Sequence, residues 1–405
     1  MVNDKGAPKG YKSTEIGIIP QEWDGSQTIG MLFDFKNGLN KAKEYFGYGT
    51  PIVNYMDVYS KKGLIANDIK GRVSVSSDEI KAYGVRKGDV FFTRTSETPD
   101  EIGVTTTILE ELEDTVFSGF ILRARPKTER LDISYQKFCF SSSYIRNKIV
   151  SSCTYTTRAL TNGKSLSKIF IPIPPRSEQQ AIATALTDVE DLISSLEKLI
   201  EKKHRIKQGT MQQLLTGKKR LDGFSGERET IRIGEMFNIS AGGDLLLEHF
   251  SPFKTEKYRY NIYSNGIANK GLYGYTSNYR YNENTITVTA RGTIGYANYR
   301  KEKYDAIGRL LILSPIIKVD CLYVSDYINN IIKFVVESTG VPQLTAPQIS
   351  KYYVTVPSYE EQSAIAQVLA NMDEEIEALE KKLNKYKAVK QGMAQELLTG
   401  RRRLV

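Results

Sequence analysis

Histidine is almost missing from this chain: there are two in 405 residues, His204 and His249, with no Cys or His nearby at metal-ligand spacing. A structural zinc site is therefore not expected. Cysteine is nearly as scarce. Cys139, Cys153 and Cys321 are odd in number and show no CxxC spacing, which fits buried thiols in a reducing cytoplasm better than a disulfide framework. No run approaches the ~20 apolar residues that cross a bilayer. Residues 1–10 are polar and lack the apolar core of a secretory signal. The expected place of work is the cytoplasm, away from any membrane.

Catalytic signatures are missing too. Asn162-Gly163-Lys164-Ser165 ends like a phosphate loop, but Arg158 stands where that motif needs its first glycine. Gly47-Tyr48-Gly49 lacks the third glycine of a dinucleotide fingerprint, since Ile52 occupies its place. Ile173-Pro174-Pro175-Arg176 is not the Asp/Asn-Pro-Pro-aromatic tetrapeptide of an amino-methyltransferase, and Pro99-Asp100 is followed by no nearby Asp/Glu-x-Lys of a nuclease. Together these absences argue for a chain that is not an enzyme, with no catalytic residue and no cofactor of its own.

What the chain does have is a surplus of positive charge and an internal copy. A net charge of +9 suits a polyanionic partner. Residues 174–221 and 357–404 align without a gap at an offset of 183, and 22 of the 48 positions are identical. Pro174, Glu178-Gln179, Lys207-Gln208-Gly209 and Leu214-Leu215-Thr216-Gly217 recur as Pro357, Glu361-Gln362, Lys390-Gln391-Gly392 and Leu397-Leu398-Thr399-Gly400. Such self-similarity divides the protein into two equivalent halves.

Each repeated segment reads as one long helix. Ile182, Leu186, Val189, Ile193, Leu196 and Ile200 are spaced 4-3-4-3-4, and Ile365, Leu369, Met372, Ile376, Leu379 and Leu383 repeat that spacing. This is the seven-residue stripe of a coiled coil, with Glu197, Lys198, Glu380 and Lys381 on the outer faces. Ser177 and Ser358 lie ahead of a Glu, as helix-start residues do. Gly209 and Gly392 mark a bend or a close helix contact, and Gly217 and Gly400 mark C-terminal caps. The basic runs Lys218-Lys219-Arg220 and Arg401-Arg402-Arg403 suit either a helix C-terminus or DNA. A pseudo-two-fold arrangement would pair the helices antiparallel; the alternative is that each packs on its own globular domain.

The intervening regions share fainter echoes. Ile29-Gly30 and Phe33 recur as Ile233-Gly234 and Phe237, and Leu166-Ser167-Lys168 matches Ile349-Ser350-Lys351. Short β-branched or aromatic runs at 90–93, 285–289 and 310–313 predict strands. Helical spacing predicts helices over 133–150 and 323–336. The expected fold class is α+β: two similar globular domains, at 1–173 and 222–356, with long helices at 174–221 and 357–405 forming an antiparallel coiled coil. In the second domain, Arg291-Gly292-Thr293-Ile294-Gly295 places a basic residue on a glycine-flanked turn, either gripping a phosphate or base edge or lying solvated on an ordinary hairpin. Arg94 is read as its counterpart. Residues 258–281 hold tyrosines among Asn and Arg, from which Tyr258, Arg259, Asn265, Tyr275 and Arg280 are candidate DNA contacts, as is Thr293. About half of these tyrosines should be structural, since tyrosine is also a good strand residue. Lys36, Asn37, Lys41 and Lys43 form a basic loop in the first domain, a candidate contact or a solvated surface.

Three segments carry a family resemblance. Residues 11–23, from Tyr11-Lys12-Ser13-Thr14-Glu15 to Pro20-Gln21-Glu22-Trp23, look like the opening of type I restriction-modification specificity subunits. Ile171-Pro172-Ile173-Pro174-Pro175 with Glu178-Gln179, and Lys207-Gln208-Gly209 through Gly217, resemble their spacer helix, and the second copy repeats it. The resemblance implies two target recognition domains, each reading half of a split double-stranded DNA sequence, with the helices as a ruler. It implies two methyltransferase subunits that carry S-adenosylmethionine, and restriction subunits that use ATP and Mg. The competing expectation is a scaffold whose grip on DNA comes mainly from those partners.

Overall fold

The computed structural model describes residues 7–155, 157–335 and 342–404. The chain divides into two compact units, Met1–Leu196 with Lys382–Val405, and Glu197–Lys381. Both boundaries fall inside long helices, so each unit joins one globular domain to one end of each helix.

In the first unit, a hairpin of β1 (Tyr11–Thr14) and β2 (Gly17–Pro20) precedes the central sheet. That sheet holds β3 (Phe33–Asn37), β4 (Gly63–Leu64), β5 (Val90–Thr93), β6 (Thr105–Ile108) and β7 (Ile121–Pro126), in spatial order β3-β7-β5-β6-β4. All four residues of β5 are buried, as its unbroken apolar run requires of a strand covered on both faces. The helix expected over 133–150 is two helices, α1 (Ile133–Cys139) and α2 (Ser143–Ser152). Ser142 breaks it: its side chain accepts from the Ile145 N–H and caps a new start. Phe140, at the break, turns into the core against Phe33 and Phe92, with ring centroids 5.8 and 5.2 Å away. The first long helix, α3 (Arg176–Leu215), starts in this unit.

In the second unit, β8 (Glu229–Arg232) leads to β9 (Phe237–Ala241), β10 (Thr285–Val288), β11 (Ala297–Arg300) and β12 (Leu311–Pro315). The last four make a sheet in the order β9-β12-β10-β11. The helix expected over 323–336 is α4 (Cys321–Asn330), capped by Asp320; residue 336 lies outside the described residues. The closing strand β13 (Tyr353–Val356) pairs antiparallel with β8, and α5 (Tyr359–Leu397) follows. The α+β expectation holds for both units.

The echoes mark one frame used twice. The Ile29 and Gly30 N–H groups donate to the Ile169 and Ser167 carbonyls, at 2.8 and 3.1 Å. Those of Ile233 and Gly234 donate to Tyr352 and Ser350, at 2.9 and 3.1 Å. A Cβ on Gly30 would lie 2.6 Å from the Ser167 Cβ, and one on Gly234 would lie 2.9 Å from that of Ser350. Only glycine permits this approach.

Each unit packs the start of one long helix with the end of the other. Ile182, Ala183 and Leu186 of α3 share a core with Leu397 and Leu398 beside the first sheet. Leu214 and Leu215 share the second core with Ile365, Ala366 and Leu369. The helices therefore run antiparallel within each unit and join their domain cores as well, so the two packing alternatives are both realised. Of the remaining stripe residues, Leu196, Ile200 and Ile376 are buried, and Val189, Ile193, Met372, Leu379 and Leu383 are half-buried.

Some helix details depart from expectation. Both helices continue through Gly209 and Gly392, and a Cβ on either would meet nothing within 4 Å, so no close approach explains them. Ser177 lies inside α3, which opens at Arg176 with the Pro175 carbonyl accepting from the Gln179 N–H at 3.0 Å, whereas the Ser358 hydroxyl accepts from the Glu361 N–H at 3.4 Å. Gly217 and Gly400 do cap, with φ of 73° and 71°.

The polar residues repeated in both copies lock these junctions. Glu178 is fully buried and accepts from Arg403 at 2.9 and 2.8 Å and from the Trp23 indole at 2.8 Å. Glu361, also fully buried, accepts from Arg220 at 2.6 Å and pairs with Arg228 at 3.5 Å. Arg220 and Arg403 thus serve the fold, which decides the open reading of their basic runs at those two positions. Gln179 and Gln362 donate to the Pro174 and Pro357 carbonyls at 2.9 Å, and accept from the N–H groups of the cap residues Asp132 and Asp320.

Candidate nucleic-acid interface

The strand carrying the candidate turn is wired alike in both units. Thr93 N–H donates to Val104 O at 2.9 Å, and its hydroxyl accepts from the Val104 N–H at 2.9 Å. Thr289 does the same with Tyr296, at 3.0 and 2.9 Å. One residue on, the Arg94 and Ala290 carbonyls accept from Thr161 and Leu344, which are themselves 183 positions apart. Arg94 therefore matches Ala290, and Thr95 matches Arg291, so the sequence-level pairing of the two arginines is off by one. The loop that follows is longer in the first domain, spanning 94–102 against 290–294, and this length difference hid the register.

In the second unit, Arg291 is exposed at the head of a hairpin turn joining β10 to β11, and donates twice to the Gln343 side-chain oxygen, at 3.1 and 2.8 Å. The turn itself is held by the Thr289 hydroxyl donating to the Thr293 carbonyl, while the Thr293 side chain faces outward as part of an exposed residue. Gly292, at φ +69°, has open space around it. The turn is thus an ordinary hairpin that also presents a tethered cation.

Not every candidate is free. Asn265 accepts from the Ala290 N–H at 2.7 Å and donates to Gly308 O at 2.6 Å, so both ends of its amide hold the loop together. Arg280 forms a forked pair with Asp305, reaching one oxygen at 3.0 Å, and this hydrogen-bonded pairing holds its guanidinium above the usual range. These two serve the fold. Tyr258 and Tyr275 are half-buried, and Arg259 is exposed over the Tyr260 ring at 5.0 Å. Tyr263 and Tyr281 pack on Tyr304, at 5.5 Å each, as structural tyrosines.

In the first unit, Lys36 donates to Ala82 O at 2.6 Å over the Tyr83 ring, and Lys41 pairs with Glu79 at 2.8 Å. Both are engaged internally, while Asn37 and Lys43 are exposed and Arg94 is half-buried. Sequence reasoning missed a hollow of about 420 Å³ beside Thr95, lined by Tyr55, Tyr59, Glu97, Phe120 and Arg158. Phe120 and Met56 stand out at its rim, 66% and 62% exposed. The Tyr59 hydroxyl donates to Glu101 at 2.8 Å, and that bond raises its pKa. Its parts come from distant segments, so no spacing in the chain announces it.

Both halves of the chain match one known family. The model of the type I restriction modification DNA specificity domain matches residues 20–208 and 226–388, one copy on each half. The chain belongs to this family. A putative type I restriction enzyme specificity subunit, MjaX, of Methanocaldococcus jannaschii is 25% identical over 97% of both chains. The EcoKI specificity subunit of Escherichia coli is 26% identical over 42% of this chain and 36% of its own. Among solved structures, the S subunit of a type I restriction-modification system from M. genitalium superposes with a TM-score of 0.61 at 17% identity, covering 93% of this chain and 96% of that one. That likeness is one of fold. Within the specificity family, then, the twin domains are specificity domains, and the turn at Arg291 and the hollow beside Thr95 lie at matching strand ends. No helix among the described residues is long and apolar enough to cross a membrane.

Proposed function

We propose that this chain reads a bipartite double-stranded DNA sequence for a type I restriction-modification complex, one half-site per domain. The observation that carries this reading is the contrast within the copied frame. The polar locks Glu178–Arg403 and Glu361–Arg220 are kept, while the loops after Thr93 and Thr289 differ in length and chemistry. A common connector with divergent loops suits two readers of different sequences. The long helices, 40 and 39 residues, are each about 60 Å along their own axes and set the gap between half-sites. The helix-bearing surfaces take two methyltransferase subunits, which supply S-adenosylmethionine, and the restriction subunits supply ATP- and Mg-dependent work in the cytoplasm. This chain contributes recognition and no catalytic step.

The test is to express the chain with its methyltransferase partner and map the methylated adenines. Replacing residues 222–356 by the second domain of a relative is expected to change one half-site only. A change in both halves, or in neither, defeats the reading.

A second reading is favoured by one observation: Lys36, Lys41, Asn265 and Arg280 are engaged inside their own units. With those groups committed, much of the grip on DNA would come from partner subunits, and the chain would act as a scaffold. Gel shift of the chain alone, against the chain with a methyltransferase subunit, separates the two.

A further inference from the structure

The sequence motif Asn162-Gly163-Lys164-Ser165 finds no nucleotide site, yet it borders a second concavity of the first unit, about 620 Å³ in volume. Three lysines line it, Lys148 on α2 with Lys164 and Lys168 beyond it in the chain, together with Ser165 and Asn162. One carboxylate, Glu15, shares the lining. Among the described residues none of the three lysines reaches a carboxylate; Lys148 lies 5.8 Å from the Tyr144 ring centroid. Elsewhere in the unit, Lys41, Lys61, Lys81, Lys127, Lys137 and Lys390 each pair with one. Asn162 accepts from the Ser165 N–H at 2.9 Å, which leaves its amide N–H groups to donate outward.

Three exposed lysines and an amide donor lining one concavity, against a single carboxylate, suit a polyanion with spaced charges. We infer that this concavity holds the phosphodiester backbone of the DNA target, as a positioning contact that carries no sequence information. The inference rests on the DNA-reading function above. It is specific to the first domain: at the copied positions 183 residues on, Lys164 is replaced by Pro347 and Ser165 by Gln348, and only Lys168 has a basic counterpart, Lys351.

The experiment uses the complex of the full chain with its methyltransferase subunits, and duplex DNA containing the mapped target. The triple variant Lys148→Gln/Lys164→Gln/Lys168→Gln is expected to bind at least about tenfold more weakly at low salt. Its slope of log K against log[salt] should be shallower by roughly 2 to 3, since each phosphate left without its lysine removes about 0.9. The methylated sequence should be unchanged, and the triple Lys→Arg variant should restore affinity and slope. An unchanged slope in the Gln variant, or the same weakening in the Gln and Arg variants, overturns the inference. If the wild-type complex shows no sequence-specific binding at all, the DNA-reading function itself has failed, which is a separate outcome.

Discussion

Arg403, near the chain end, grips the fully buried carboxylate of Glu178 near the start of α3, at 2.9 and 2.8 Å. The same grip recurs 183 residues away, where Arg220 holds Glu361. The third arm differs: Trp23 donates to Glu178, whereas Arg228 pairs with Glu361. A buried carboxylate is tolerable only when its charge is met by such partners.

Removing one partner leaves the other charge uncompensated. Arg403→Met is expected to destabilise the first unit by about 3 kcal/mol, and Arg403→Met with Glu178→Gln by clearly less. Trp23, the single tryptophan, is fully buried in that unit, so its emission during denaturant unfolding follows the first unit alone. Equal destabilisation in the single and double variants would contradict the lock.

Arg291→Ala should weaken discrimination at the half-site read by the second domain by about 1 to 3 kcal/mol, leaving the other half-site intact. Asn265→Ala should instead lower the stability of the second unit, because it removes both hydrogen bonds that tie the loop to 290 and 308. Methylation profiles and thermal melts of the two variants distinguish reading from folding.

Asp326, on α4, is pushed up to about 6 by burial first, with Asp373 and Asp320 adding to the rise and Lys207 opposing it. A raised carboxyl favours the folded state when protonated, so its stabilising contribution is full below about pH 4 and is lost as pH rises through about 6. Asp326→Asn is therefore expected to stabilise the second unit by up to about 2 kcal/mol at pH 8 and to make little difference at pH 4. Melting temperatures across that range give the answer; a constant difference would rule it out.

Glycines separate by environment. Gly209→Ala and Gly392→Ala meet open space in a helix interior, and each should stabilise by roughly 0.5–1 kcal/mol. Gly30→Ala must push a Cβ to 2.6 Å from that of Ser167 and should destabilise by about 1–3 kcal/mol. Opposite signs in denaturant midpoints are the expected result.

The chain's own pattern determined a good deal of this protein. The offset of 183 and the 4-3-4 stripes are local and periodic, so the long helices, their glycine caps and the twin α+β domains are written in spacing alone. Helix breaks were less legible, since Ser142 ends one helix by capping the next, a choice that apolar spacing does not encode. The tertiary structure alone decided which polar residues are free. Arg280 and Arg291 are the same residue type in neighbouring segments, but of the two only Arg280 folds against a carboxylate, that of Asp305, 25 residues further along the chain. It also decided that Thr95, not Arg94, matches Arg291, because the register is set by hydrogen bonds from Thr161 and Leu344 across a loop of different length. Periodicity fixes elements through contacts a few residues apart, whereas sites arise from contacts between segments far apart in the chain, and those are settled only when the fold closes.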